Sequence, residues 1–117
     1  MRETLLVVED EFLIRMDISD YLRAQGYEVL EASTAQQAID LLDKHSAIAL
    51  VFTDIQMPGP LNGIDLVRYI RARHPGIKTI ITSGHLRPSD LPPDVDHLVE
   101  KPYLPRRIAA LVGEALA

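Results

Sequence analysis

The sequence predicts an α/β fold: one doubly wound domain built on a five-stranded parallel sheet with strand order 2-1-3-4-5. Three observations predict it. Short apolar runs alternate with stretches whose apolar residues recur every three to four positions, the pattern of strand–helix–strand crossovers. The third run, Ala47 to Thr53, is apolar almost throughout, as a strand buried on both faces of a parallel sheet must be. At 117 residues, the chain holds one ordinary domain and leaves no room for two.

The elements follow in order. Leu5-Leu6-Val7-Val8 is a β-branched-rich strand that Glu9-Asp10-Glu11 ends abruptly. From Phe12 the period becomes helical: Ile14, Ile18 and Leu22 recur at i, i+4 and i+8, with Arg15, Asp17, Asp20 and Arg23 between them. Gly26 stops that helix as a C′ residue does. Tyr27 to Ala32 reads as the second strand. Thr34 with Gln37 three residues on is a capping box, and Ala35, Ala38, Ile39 and Leu42 form the stripe of the helix it opens. After the third strand, Met57-Pro58-Gly59-Pro60 is a loop, followed by a helix through Ile64, Val67 and Ile70. Pro75-Gly76 breaks it before a fourth strand, Ile77 to Thr82. A polar, proline-rich stretch leads to a short fifth strand near His97 to Val99. The last helix starts at Pro105, which suits the first helical position, with Ile108, Leu111, Val112 and Ala115 as its stripe. Pro88, Pro92 and Pro93 exclude a regular helix between the fourth and fifth strands, so that helix is expected to be short, displaced or absent.

Composition excludes several classes of function. There are no cysteines, so disulfides and thiolate metal sites are ruled out. The longest apolar run, Ala47 to Phe52, is six residues, against about 20 needed to span a bilayer. Only Leu5 to Val8 is apolar before the acids at the N-terminus, so no signal peptide is expected. Twelve Lys and Arg against 17 Asp and Glu give a net charge of −5 with no basic block, which argues against nucleic acid as the main partner. A soluble, cytoplasmic domain spanning residues 1–117 is expected.

The reactive residues collect where the strands end. The first strand ends at Glu9-Asp10, the third at Asp54, the fourth at Ser83 and the fifth at Lys101. Open α/β sheets bind ligands at the carboxyl ends of their strands, beside the point where strand order reverses. In the order 2-1-3-4-5 that point lies between the first and third strands, the two that end in acid. Converging carboxylates repel one another, and a hard divalent cation such as Mg²⁺ neutralises them. A lysine is a point charge suited to phosphate, and the hydroxyl of Ser83, beside Gly84, can donate to a phosphoryl oxygen. Together these groups describe phosphoryl transfer with a carboxylate as nucleophile. Taken singly, each has a plainer reading: acids opening a helix, an N-cap at Asp54, a turn at Ser83-Gly84, and a strand end at Lys101-Pro102. The histidines His45, His74, His85 and His97 lack metal-site spacing. Arg68, Arg71 and Arg73 read as a solvated helix face, and Met16 and Met57 as packing and loop residues.

Leu5-Leu6-Val7-Val8-Glu9-Asp10-Glu11, Asp54-Ile55-Gln56-Met57-Pro58-Gly59, Thr82-Ser83-Gly84 and Lys101-Pro102-Tyr103 resemble, in family order, the motifs of response-regulator receiver domains, the CheY-like family. The resemblance spans nearly the whole chain. It implies a flavodoxin-like fold, Asp54 as phosphoacceptor, and Glu9 and Asp10 as the acidic pair, with Asp10 the direct ligand of Mg²⁺ or Mn²⁺. It further implies a backbone carbonyl ligand from Gln56, Ser83 as the switch hydroxyl, Lys101 as the phosphate-contacting lysine, and a cis Lys101-Pro102 bond. The implied donor is a histidine kinase or histidine phosphotransfer protein, and the output is a conformational change read by a downstream protein. Such a domain assists its own phosphorylation and dephosphorylation without being a conventional enzyme, here as a monomer or weak dimer.

Three positions depart from the family pattern. Glu9 stands where aspartate is commoner, Leu98 where an aromatic switch residue is usual, and the segment from Ser83 to Lys101 is short and proline-rich. Without the aromatic, the segment His85 to Asp94 is expected to carry the switch. A flavin module on the same fold would want a Gly/Ser/Thr-rich loop where three acids stand. A degenerate receiver acting as an unphosphorylated adaptor is the alternative reading. The chain ends one helix after Lys101, as expected of a stand-alone receiver or of one excised from a larger protein.

Overall fold

The computed structural model describes residues 2–84 and 95–117. The strands are β1 (Thr4–Val8), β2 (Glu28–Ala32), β3 (Ile48–Asp54), β4 (Lys78–Ser83) and β5 (His97–Glu100), and the helices are α1 (Phe12–Ala24), α2 (Ala35–Lys44), α3 (Gly63–Arg73) and α4 (Pro105–Leu116). All strand pairs are parallel, in the order β2-β1-β3-β4-β5. The expected fold class is therefore observed. The expected irregular helix between β4 and β5, and the switch segment His85 to Asp94, fall outside the described residues.

Alternation along the strands divides the core in two. Leu5, Val7, Leu50, Phe52 and Ile80 face α1 and α4, where Ile18, Leu22, Ile108, Leu111 and Val112 meet them. Leu6, Val8 and Val51 face α2 and α3 against Ala35, Ala38, Leu42, Leu66 and Ile70. Burial of β3 on both faces explains its apolar sequence. Leu98 packs with Val95 against Ile55, Val67 and Ile81. Among the described residues, no helix is long and apolar enough to cross a membrane.

Helix ends follow local chemistry, with one correction to the sequence reading. Gly26 has φ +101° after the Gln25 C-cap of α1, the left-handed position that favours glycine. Thr34 caps α2 by accepting from the Gln37 amide. Gln37 does not complete a capping box, because its side chain accepts from the Ser33 amide and hydroxyl instead. The reciprocal box opens α3, where Asn62 and Asp65 each accept from the other's amide at 2.9 Å.

The arginines of α3 do not form one solvated face. Arg68 and Arg73 are exposed, but Arg71 is half-buried and donates to the carbonyls of Pro75 and Ile77, to the Thr79 hydroxyl and to Asp96. Asp96 also accepts from the Thr79 amide at 2.8 Å. A guanidinium reaching over the end of its own helix finds these carbonyls because Pro75-Gly76 turns the chain back beneath it. Met57 packs against the α2–α3 core, whereas Met16 is exposed rather than packed.

Candidate functional site

Three carboxylates meet at the switch point of the sheet. Glu9 and Asp10 follow β1 and Asp54 ends β3, its register-adjacent neighbour. One oxygen from each of Glu9, Asp10 and Asp54 lies within 4.8 Å of the others. Among the described residues this is the one group of three or more such side chains that could hold a metal ion. With Glu11, Gln56, Met57 and Pro58 they line an open cleft of about 500 Å³.

The members differ in environment. Asp10 is exposed, while Glu9 and Asp54 are buried. Glu9 Oε1 accepts from the Glu11 amide at 3.2 Å, but its buried Oε2 has no partner among the described residues. Burial pushes the Glu9 carboxyl up to about 7, with the neighbouring charges of Asp54 and Asp10 acting in the same direction. Lys101, at the end of β5, donates from Nζ to Asp54 Oδ2 at 2.8 Å. Burial opposes its charge, but that hydrogen bond and the carboxylates of Asp54, Glu9 and Glu11 outweigh the opposition and hold the ammonium above the ordinary lysine range.

Ser83 is buried at the end of β4, one residue past Thr82, the register partner of Asp54. Its carbonyl accepts from the Lys101 amide at 3.1 Å. The structure thus brings Glu9, Asp10, Asp54 and Lys101 into one cluster, sets Gln56 on the cleft wall, and places Ser83 beside the cleft rather than on its lining. The Lys101-Pro102 bond is cis, as expected.

These residues fit a hard divalent cation. The donor set is wholly oxygen, and among the described residues the buried Glu9 Oε2 lacks a partner while Lys101 bonds one oxygen of the trio.

Sequence reading missed residues that build the site. Gly63 is buried at the first turn of α3, where a Cβ would overlap the Asp54 carbonyl oxygen and sit 2.9 Å from Ile55 Cα. Glycine is required there so that α3 can start against the end of β3. Asn62-Gly63-Ile64-Asp65 carries the capping-box spacing and was the available signal. Tyr103 packs edge-on to Phe52 with ring centroids 5.9 Å apart. Its buried hydroxyl has no partner among the described residues, and burial with the charges of Glu9 and Asp54 raises its pKa. The exposed Leu13 and Met16 line a mainly apolar cleft of about 590 Å³ that also touches Lys101 and Tyr103.

Comparison with known proteins gives a consistent result. The family model described as "Response regulator receiver domain" matches residues 5–112. Sensor kinase CckA of Brucella abortus is 33% identical over 118 residues, covering 97% of this chain and 12% of that protein. Transcriptional regulatory protein PdtaR of Mycobacterium tuberculosis is 38% identical over 80 residues, 68% of this chain and 38% of that protein. The chain therefore spans well under half the length of either relative. The crystal structure of a CheY-like receiver domain protein from Methanospirillum hungatei superposes with a TM-score of 0.91 at 26% identity, covering 99% of this chain and 94% of that one.

Proposed function

The chain belongs to the response regulator receiver domain family, and from that membership we propose that it accepts a phosphoryl group from a phosphohistidine donor onto Asp54. The observation that carries this reading is the 2.8 Å bond from Lys101 to Asp54 at the edge of the acid trio. A cation and three carboxylates held at one strand-end crevice are the parts that phosphoryl transfer to a carboxylate requires.

Lys101 holds Oδ2 of Asp54, which leaves Oδ1 as the attacking oxygen. The new P–O bond forms as the P–N bond of phosphohistidine breaks, and the electron pair stays on the imidazole, which takes up a proton. Lys101 then turns its ammonium to the phosphoryl oxygens, and the Ser83 hydroxyl supplies a further donor as the charge arrives. Asp10, Asp54, Glu9 and the Gln56 backbone carbonyl would hold Mg²⁺ or Mn²⁺. When bound, the ion neutralises the carboxylates and the developing phosphoryl charge. The exposed Leu13 and Met16 line the apolar cleft that reaches Lys101 and form the surface on which a histidine kinase or phosphotransfer protein docks. Output passes to a downstream protein through rearrangement of the β4–β5 side.

Acetyl phosphate treatment with and without Mg²⁺, read by mass spectrometry, tests this reading. One phosphoryl group should be added, only with the cation, and none in Asp54→Asn. Equal labelling of the variant would rule Asp54 out, and no labelling of either would favour an unphosphorylated adaptor.

A further inference from the structure

We propose that Arg15 is a positioning residue for the acid pair of the site, locked in place by Glu31 at the end of β2. The proposal rests on the cation site described under the proposed function and extends it to residues that do not touch the cleft. Arg15 lies on the first turns of α1, and by spacing alone it belongs to the polar face of that helix. Its side chain is only 16% exposed. Nη1 donates to the Glu9 backbone carbonyl at 2.8 Å, and Nε donates to Glu31 Oε1 at 3.1 Å. Its guanidinium also lies 5.5 Å from the centre of the Phe12 ring.

These contacts bracket the turn that presents the acids. The Glu9 amide donates to the Ala32 carbonyl at 3.0 Å, continuing the sheet past β1. The Glu9 carbonyl is taken by Arg15, and the Glu9 side chain accepts from the Glu11 amide. The peptide joining Glu9 to Asp10 is thereby held by a guanidinium whose own position is fixed from β2. Glu31 is well suited to fix it, because Arg23 Nη2 donates to its other oxygen at 2.9 Å. Arg23 is tied in turn to the Val29 carbonyl at 2.9 Å. A planar fork with donors on two edges spans both partners, which the single ammonium of lysine does not.

Charge and geometry make opposite forecasts, so the role can be isolated. A cation beside an acid cluster weakens metal binding by repulsion, so if Arg15 acted through charge alone its removal would tighten binding. If Arg15 positions the turn, its removal weakens binding. Wild type, Arg15→Lys, Arg15→Gln, Glu31→Gln and Arg23→Gln should be titrated with Mg²⁺ alone and with Mn²⁺ alone. Amide shifts of the metal-free forms should be recorded beside their thermal midpoints.

Arg15→Lys and Arg15→Gln should each lose affinity, on the order of tenfold as for other groups that orient metal ligands. Glu31→Gln should lose less. The metal-free shifts of Glu9, Asp10 and Glu11 should move in the Arg15 variants, and Arg23→Gln, which reaches the turn only through Glu31, should lose the least affinity of the set. Arg15→Lys carries the test if Arg15→Gln does not fold. Wild-type affinity in Arg15→Lys, or tighter binding in Arg15→Gln, overturns the positioning role and leaves the cation site standing. Absence of cation binding by the wild type overturns both.

Discussion

Lys101 reaches across the end of β4 to Asp54 and joins the last strand of the sheet to the third through one hydrogen bond of 2.8 Å. The lysine occupies an oxygen that a divalent cation would also draw upon. Lys101→Ala should therefore raise divalent-cation affinity several-fold, by removing a competing positive charge, while slowing phosphorylation of Asp54 at least tenfold. A metal titration and a phosphodonor time course on the same preparation check both directions.

Glu9 gives the metal-free protein a pH dependence of unusual sign. A carboxyl at about 4.5 unfolded and about 7 folded binds more protons in the folded state between those values. Stability should therefore fall as pH rises through that window, with the full cost present above it. Glu9→Gln should flatten this slope and stabilise the metal-free protein at pH 8 by about 1–3 kcal/mol. Denaturant unfolding from pH 4.5 to 8 measures it. Cation binding near pH 6 should release close to one proton, seen by calorimetry in buffers of different ionisation heat.

Asp10 and Glu9 should separate in metal titrations. Asp10 is exposed at the cleft and Glu9 is buried with one oxygen committed to the Glu11 amide. Asp10→Asn should weaken Mg²⁺ binding more than Glu9→Gln does at pH 8. The reverse order would make Glu9 the principal ligand.

Gly63→Ala should be among the most damaging single changes. The added methyl meets backbone at Asp54 and Ile55, and backbone cannot yield as a flexible side chain does. A loss of about 3 kcal/mol or more is expected, together with weakened cation binding because the end of β3 must shift. Thermal unfolding and a metal titration report the two effects.

Arg71→Ala should destabilise the fold by about 1–3 kcal/mol, because it strips donors from two carbonyls and removes one donor from Asp96. Asp96→Asn should lose less, since the amide can still accept from Thr79. Chemical denaturation of the pair distinguishes them.

The fold and the clustering of the acids at the candidate site were legible because their signals are local. A buried central strand must be apolar, and in this fold acids that end neighbouring strands converge on one edge, so β3 and the meeting of Asp54 with Glu9 and Asp10 are readable from one dimension. Arg15, Arg71 and Gln37 were not, because each chooses its partner in three dimensions: a carbonyl on the next turn, a strand edge, a neighbouring amide. Sequence places all three on polar faces and says nothing about what lies opposite. Gly63 fell between the two cases. Its capping-box context is local, but the close approach of α3 to Asp54 is not. Glu9 was found as an acid, yet its complete burial, and hence its proton near neutrality, depends on packing that no motif encodes.

The clasp formed by Arg71, Thr79 and Asp96 sets where the last strand of the sheet begins. Thr79 immediately precedes Ile80 and Asp96 immediately precedes His97, the first pair in the ladder between β4 and β5. The clasp thus acts as an alignment pin, and the aim of Lys101, four residues beyond His97, is inherited from it.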